Sequence, residues 1–227
     1  MNNVTVAGSP TPLTPPKTVP QQISQKTIER LTVYNRCLKQ LRSLAKSHTY
    51  SHELAKLAGV SAAQLRRDIM AVGYSGSPVK GYDINQLAQS IDNFLEAPND
   101  QPVALVGVGN LGRAILTYFN GRRANLRIVA AFDNDPQKAD RVIQATRCYP
   151  MTKLQNIINQ QNISTAIITV PADQAPAVAD ILVNAGIRGI LNFAPLHLNL
   201  PQSVFVENVD MAMALQKVAY FARKDRV

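Results

Sequence analysis

The segment Val103-Ala104-Leu105-Val106 runs without a break into Gly107-Val108-Gly109-Asn110-Leu111-Gly112. Four consecutive apolar residues fit a strand buried on both faces. A G-x-G-x-x-G directly after such a strand is the pattern of a turn into a helix that carries a dinucleotide pyrophosphate. Each glycine has its own reason: Gly107 allows the tight turn, Gly109 lets the backbone approach the phosphates, and Gly112 permits close packing of helix on strand. The following helix, through Ala114, Ile115, Tyr118 and Phe119, offers unpaired N–H groups at its start, at Asn110 and Leu111. A second strand, Leu126 to Phe132, ends at Asp133, about twenty residues past Gly112. A carboxylate there can accept from both ribose hydroxyls and repels a 2′-phosphate. With Asn134 and Asp135 next, and no arginine, NAD(H) is favoured over NADP(H). Asp135 has two open readings, a second ribose ligand or a cap ahead of Pro136.

Further strands are expected over Ile163–Val170, Arg188–Phe193 and Ser203–Val206, with a helix over Ala175–Ala185. The alternation predicts a Rossmann-like, doubly wound parallel sheet over residues 102–207. Val170 and Pro171, at the end of one strand, join the candidate cofactor-binding set. A dehydrogenase would also need a substrate domain and a general acid or base beside the nicotinamide. Residues 208–227 hold only one mostly apolar helix, Asp210 to Ala222. No catalytic residue is assigned, and the chain reads as no enzyme. The competing readings are a small NAD-dependent oxidoreductase, with His197 as its acid, and a CoA-binding module on the same type of sheet.

The first half is built differently. Residues 1–22 carry five of the fourteen prolines and no hydrophobic period, which predicts a disordered tail. From Ser24 to Ser47 apolar residues recur at helical spacing, as one helix or as two broken near Thr32. Ser51 opens a short helix that stops at Gly59. Ser61 opens the next, where Ser61-Ala62-Ala63-Gln64 matches a capping box. Leu65, Ile69 and Val72 form its buried stripe, leaving Ala63, Arg67 and Met70 outside with Arg66 beside them. Helix, short turn and helix with arginines on the outer face suit docking in a DNA major groove. Gly73, Gly76, Pro78 and Gly81 then supply turn chemistry for a small hairpin, or wing. The domain is placed at 23–84. A connecting helix and linker follow over 85–101, with the boundary at Pro98-Asn99-Asp100-Gln101-Pro102.

Charge supports that division. The formal net charge is +9, and residues 17–82 hold eleven Lys and Arg against three acids, nearly the whole excess. An anionic partner is therefore met by the N-terminal half. Candidate DNA-binding residues are Ser61, Ala63, Gln64, Arg66, Arg67 and Lys80. No apolar run reaches about 18 residues, so no transmembrane helix and no membrane partner are expected. No basic-then-apolar leader is visible. Two cysteines, Cys37 and Cys148, make no disulfide framework, which fits a reduced cytoplasm. Both read as packing residues, with a redox role for Cys148 left open. His48 and His52 lie at i, i+4 without further ligands and read as surface residues, so no metal is expected.

The chain resembles the Rex family of redox-sensing transcriptional repressors from Ser24 to Phe221. The carrying segments are Ile28-Glu29-Arg30-Leu31 with Tyr34, Gln64-Leu65-Arg66-Arg67-Asp68, Gly81-Tyr82-Asp83, Val103 to Arg113, Val129 to Pro136, Gly186 to Pro195, and Asn208-Val209-Asp210. The resemblance implies a winged helix joined to a Rossmann domain in a homodimer, with NADH releasing operator DNA and NAD+ permitting binding. It further implies a C-terminal helix exchanged between subunits, Arg30 and Asp210 as an interdomain switch pair, and Tyr118 beside the nicotinamide. Two segments depart from the family pattern. Ser75-Gly76-Ser77-Pro78-Val79 stands where an aromatic residue and a Lys-Arg pair are usual, leaving Lys80 as the only wing base. Ala71-Val72 replaces an aromatic pair.

Overall fold

The computed structural model describes residues 23–95, 100–120 and 126–224. The expected disordered tail, and Pro98 and Asn99 of the expected linker, lie outside the described residues. The chain divides into two compact units, Met1–Leu95 and Glu96–Val227.

The N-terminal unit is a winged helix-turn-helix. Helix α1 (Gln25–Ser43) is continuous through Thr32 and starts on Ser24, whose hydroxyl accepts from the Thr27 N–H at 3.2 Å. It buries Leu31, Tyr34, Leu38 and Leu41, one face at helical spacing. Helix α2 (Ser51–Ala58) ends on Gly59 at φ 69°, the left-handed position that stops a helix cheaply only with glycine. Helix α3 (Ala62–Ala71) starts on Ser61, whose Oγ accepts from Gln64 N at 3.1 Å. The reciprocal half of the expected capping box is absent, because the Gln64 side chain reaches forward to Asp68 instead. That reverse contact occurs one helix earlier, where Glu53 accepts from Tyr50 N.

The wing differs from a simple hairpin. Ser77 and Gly81 exchange two backbone bonds of 2.8 Å around Pro78–Lys80. The strand that follows, β2 (Tyr82–Asp83), pairs antiparallel with β1 (His48–Thr49), which precedes α2. Helix α4 (Ile84–Leu95) buries Ile84, Leu87 and Ile91 in the same core as Leu31, Leu38, Leu54 and Leu65. Residues 84–95 are thus a fourth core helix, not the connector expected over 85–101: a helix with an apolar stripe this regular folds onto the nearest core.

The C-terminal unit is the expected Rossmann-like doubly wound sheet. Its strands are β3 (Gln101–Val106), β4 (Leu126–Asp133), β5 (Val142–Ile143), β6 (Thr146–Pro150), β7 (Thr165–Ile168), β8 (Gly189–Asn192) and β9 (Phe205–Asn208). Their order is β5-β6-β4-β3-β7-β8-β9, and every neighbour pair except β5–β6 is parallel. Helices α5 (Asn110–Phe119), α6 (Leu154–Gln160) and α7 (Ala175–Asn184) cover it. Alternation along β3 builds two cores. Ala104 and Val106 pack with α6 and α7, while Val103 and Leu105 pack with Ile115 and Leu116 of α5. The direction of winding reverses between β3 and β7, so the carboxyl ends of these two strands open the crevice where such sheets take ligands. Helix α8 (Met211–Lys224) leaves Met211, Met213, Leu215, Val218, Tyr220 and Phe221 all more than half exposed. No helix among the described residues is long and apolar enough to cross a membrane.

Candidate functional site

The glycine loop follows β3 directly, and its three glycines differ in what surrounds them. Gly107 sits at φ 96°, and a Cβ there would lie 2.8–2.9 Å from Val170 and Thr169. A Cβ on Gly112 would fall 2.1 Å from the Gly107 carbonyl oxygen, so helix and loop touch at bare backbone. A Cβ on Gly109 would meet nothing within 4 Å: this glycine faces open space at the start of α5. Gly109 and Asn110 are exposed, Leu111 is half-buried and Gly112 is buried. No side chain caps α5, so its first N–H groups face outward with the positive end of the helix dipole. This backbone cradle fits a dinucleotide pyrophosphate.

Two side chains hold the cradle in place. Asp133, at the end of β4, accepts from Val108 N at 2.7 Å through Oδ2 and from Asp135 N at 2.9 Å through Oδ1. Lys138 Nζ lies 3.2 Å from Asp133 and 3.5 Å from Asp135. Burial pushes the Asp133 carboxyl up, but these donors outweigh it and hold it below the usual carboxylate range. Asp135 Oδ1 accepts from Gln137 N, so of its two open readings the local turn cap is the one drawn. Thr169, after β7, donates to the Gly107 carbonyl at 2.6 Å and clamps the loop from the other strand. Sequence reading missed both Thr169 and Lys138. A threonine just past a strand and a lysine five residues past the key aspartate carry no pattern until the strands are placed.

Val170 packs on Gly107, and Pro171 is exposed beside it at the carboxyl end of β7. Tyr118 lies further off. It is 57% exposed near the far end of α5, eight residues past Asn110, or about 12 Å along the axis. At the ends of β8 and β9, buried Asn192 donates to Asn208, whose amide meets His197 Nδ1 at 2.9 Å. Cys148 is fully buried in the sheet, and burial with Asp133 nearby raises its thiol to about 11. That keeps it protonated and unreactive at neutral pH, against the redox role left open. No cluster of three or more metal-ligating side chains occurs among the described residues.

In the N-terminal unit Ala63, Arg66, Arg67 and Met70 share the exposed face of α3, as expected. Arg66 reaches back to Ser51 Oγ at 3.0 Å, and Lys80 is exposed on the wing. Two candidates are engaged differently from their sequence reading. Gln64 Nε2 donates to Asp68 Oδ1 at 2.9 Å. Arg30 makes a bidentate pair with Asp68, Nε at 2.6 Å and Nη2 at 2.8 Å, inside its own unit. Asp210, the other half of the expected switch pair, caps α8 by accepting from Met213 N at 2.8 Å. The physical reason is reach: a carboxylate buried to 3% exposure on the facing helix matches the guanidinium fork.

Comparison with known proteins agrees with both units. Residues 22–69 match a family described as a putative DNA-binding protein N-terminus, and residues 98–196 match a CoA binding domain family. A redox-sensing transcriptional repressor Rex of Chloroflexus aurantiacus is 40% identical over 199 residues, covering 88% of this chain and 94% of the relative. The crystal structure of RSP in complex with NAD+ and operator DNA superposes with a TM-score of 0.83 at 30% identity, covering 92% of this chain and 95% of that one. RSP in complex with NADH gives a TM-score of 0.80 at 29% identity, covering 90% and 96%.

Proposed function

The chain belongs to the Rex family of redox-sensing transcriptional repressors, and from that premise we propose how its residues divide the work. It is a DNA-binding regulator responsive to NAD(H), not an enzyme. The observation that carries this is the pairing, in one chain, of a basic helix-turn-helix with an open glycine cradle tied to an acidic strand end.

Bound NAD(H) supplies a charge and a ring shape that change with its oxidation state. Gly109, Asn110, Leu111 and Gly112 bring backbone N–H groups to the pyrophosphate, while Gly107, whose own N–H is donated to the Phe132 carbonyl, makes the turn that lets them approach. Asp133 takes the ribose hydroxyls with its remaining lone pairs, beside Asp135. Val170 and Pro171 line the nicotinamide side, with Tyr118 held there only by resemblance. Ser61, Ala63, Arg66, Arg67 and Lys80 face operator DNA, the arginines supplying phosphate and base-edge donors. Arg30 and Asp210 act as a switch pair only if the guanidinium exchanges Asp68 for Asp210 in one redox state. The exposed apolar residues of α8 support a homodimer, in which that helix packs against a second copy. Such a regulator works in the cytoplasm, on double-stranded DNA.

Moving operator occupancy from mostly bound to mostly free requires that NADH prefer the released state by several kcal/mol, ~5.5 for a full 99:1 reversal. By linkage, DNA weakens NADH binding by the same factor. The test is operator binding at fixed salt with NAD+, NADH or neither. Release by NADH alone is expected, and equal affinity in all three conditions would refute the sensor. The CoA binding family match over residues 98–196 supports a second reading. Displacement of NADH by CoA in a competition titration would favour it.

A further inference from the structure

Asp68 lies on α3, the helix that carries the candidate base-reading residues, yet it points inward and is 3% exposed. Four donor bonds converge on its two oxygens. Arg30 gives Nε at 2.6 Å and Nη2 at 2.8 Å, Tyr34 gives its hydroxyl at 2.8 Å, and Gln64 gives Nε2 at 2.9 Å. Arg30 and Tyr34 come from α1, and Gln64 from one turn earlier on α3. We propose that Asp68 is a positioning residue that fixes the rotation of α3 about its own axis, and that Gln64 serves DNA binding through Asp68 rather than by reading a base.

The apolar contacts of α3 do not fix that rotation by themselves. Only Leu65 and Ile69 are fully buried, a ridge one residue wide, while Val72 is half-buried. A narrow ridge lets a ten-residue helix roll. Arginine tips stand about 8 Å from the axis, so a ~20° roll moves them by about 3 Å, the length of a hydrogen bond. The Arg30 fork opposes that roll because bidentate pairing admits one coplanar geometry. Gln64 completes the clamp. Its backbone N–H donates to Ser61 and one of its two side-chain N–H donors to Asp68, which turns the amide along the helix toward the core.

The inference rests on α3 being the recognition helix. The experiment measures operator affinity, and the change caused by each single base-pair replacement, for the full chain and for Gln64→Ala, Asp68→Asn and the double variant. If the wild-type chain shows no operator preference, the reading of α3 fails, not the clamp. For the clamp, Gln64→Ala should weaken operator binding roughly 3–10-fold and equally for every base-pair replacement. In the Asp68→Asn background the same change should cost less than about twofold, since its route is already cut. A Gln64→Ala defect confined to one base pair, or one that persists unchanged beside Asp68→Asn, would overturn the proposal. So would no defect at all. Should Asp68→Asn fail to fold, the base-pair profile of Gln64→Ala decides alone, because a partly exposed glutamine can be trimmed without emptying the core.

Discussion

Asp133 and Val108 are joined by a 2.7 Å hydrogen bond from the backbone N–H of the glycine loop to the carboxylate at the end of β4. The residue expected to meet the ribose therefore also sets where the loop stands. One carboxylate serves two purposes, and its replacement should cost both.

Asp133→Ala should weaken NADH binding roughly 10–100-fold, the range for losing hydrogen bonds to a charged group. DNA binding should persist but lose its response to NADH. Fluorescence titration of NADH alongside operator binding checks both halves. An unchanged NADH affinity would place the ribose contact elsewhere.

Lys138 neutralises part of the charge that Asp133 and Asp135 hold where the ribose is expected. Lys138→Met should leave a more negative site, so NADPH binding should fall relative to NADH by about 3–10-fold, with solvent moderating the effect. The ratio of the two dissociation constants is the readout. A fall in the NADPH-to-NADH ratio of dissociation constants would mean that Lys138 does not offset the carboxylate charge that a 2′-phosphate meets.

Gly109 and Gly112 should fail in different ways. A methyl on Gly112 meets the Gly107 carbonyl at 2.1 Å, so Gly112→Ala should lower stability by about 1–3 kcal/mol and with it the thermal midpoint. A methyl on Gly109 meets only open space. Gly109→Ala should keep the midpoint and weaken NADH by roughly tenfold, since the methyl stands where the phosphates approach. Equal loss of stability in the two variants would contradict the geometry.

Acid should unfold the N-terminal unit partly through Asp68. Burial pushes its carboxyl up, but the bonds from Arg30, Tyr34 and Gln64 outweigh that and hold it below its unfolded value. A group depressed in the folded state binds its proton more readily when unfolded, so stability rises with pH between the two values. The contribution is complete above the unfolded value of about 3.9 and is lost as pH falls through the folded one. Denaturant titrations from pH 5 down to pH 2 should show a shallower loss in Asp68→Asn, from a lower starting stability.

The elements whose ends are set locally were legible in the sequence. Gly59 takes the left-handed φ, Ser61 caps its helix, and Gly107 and Gly112 stand where loop and helix touch at bare backbone. What escaped depends on partners distant along the chain. Arg30 and Asp68 are 38 residues apart, and although helical spacing puts Asp68 beside the Leu65, Ile69 and Val72 stripe, nothing local names the partner that a buried carboxylate would find there. Gln64 fitted a capping box, but a buried carboxylate one turn away is the stronger acceptor. The short pair β5–β6, only two and five residues long and with exposed Arg147 between buried Thr146 and Cys148, gave no strand signal. The α4 stripe was visible as a helix, but the core it would join was not.

Helix α8 leaves its apolar residues in water when one copy stands alone. If a second copy covers them, the amount of assembled reader at low expression grows with the square of the chain concentration. A cell that halves the gene dose then loses three-quarters of its repressor, so the sensitivity of the circuit is written partly into one amphipathic segment.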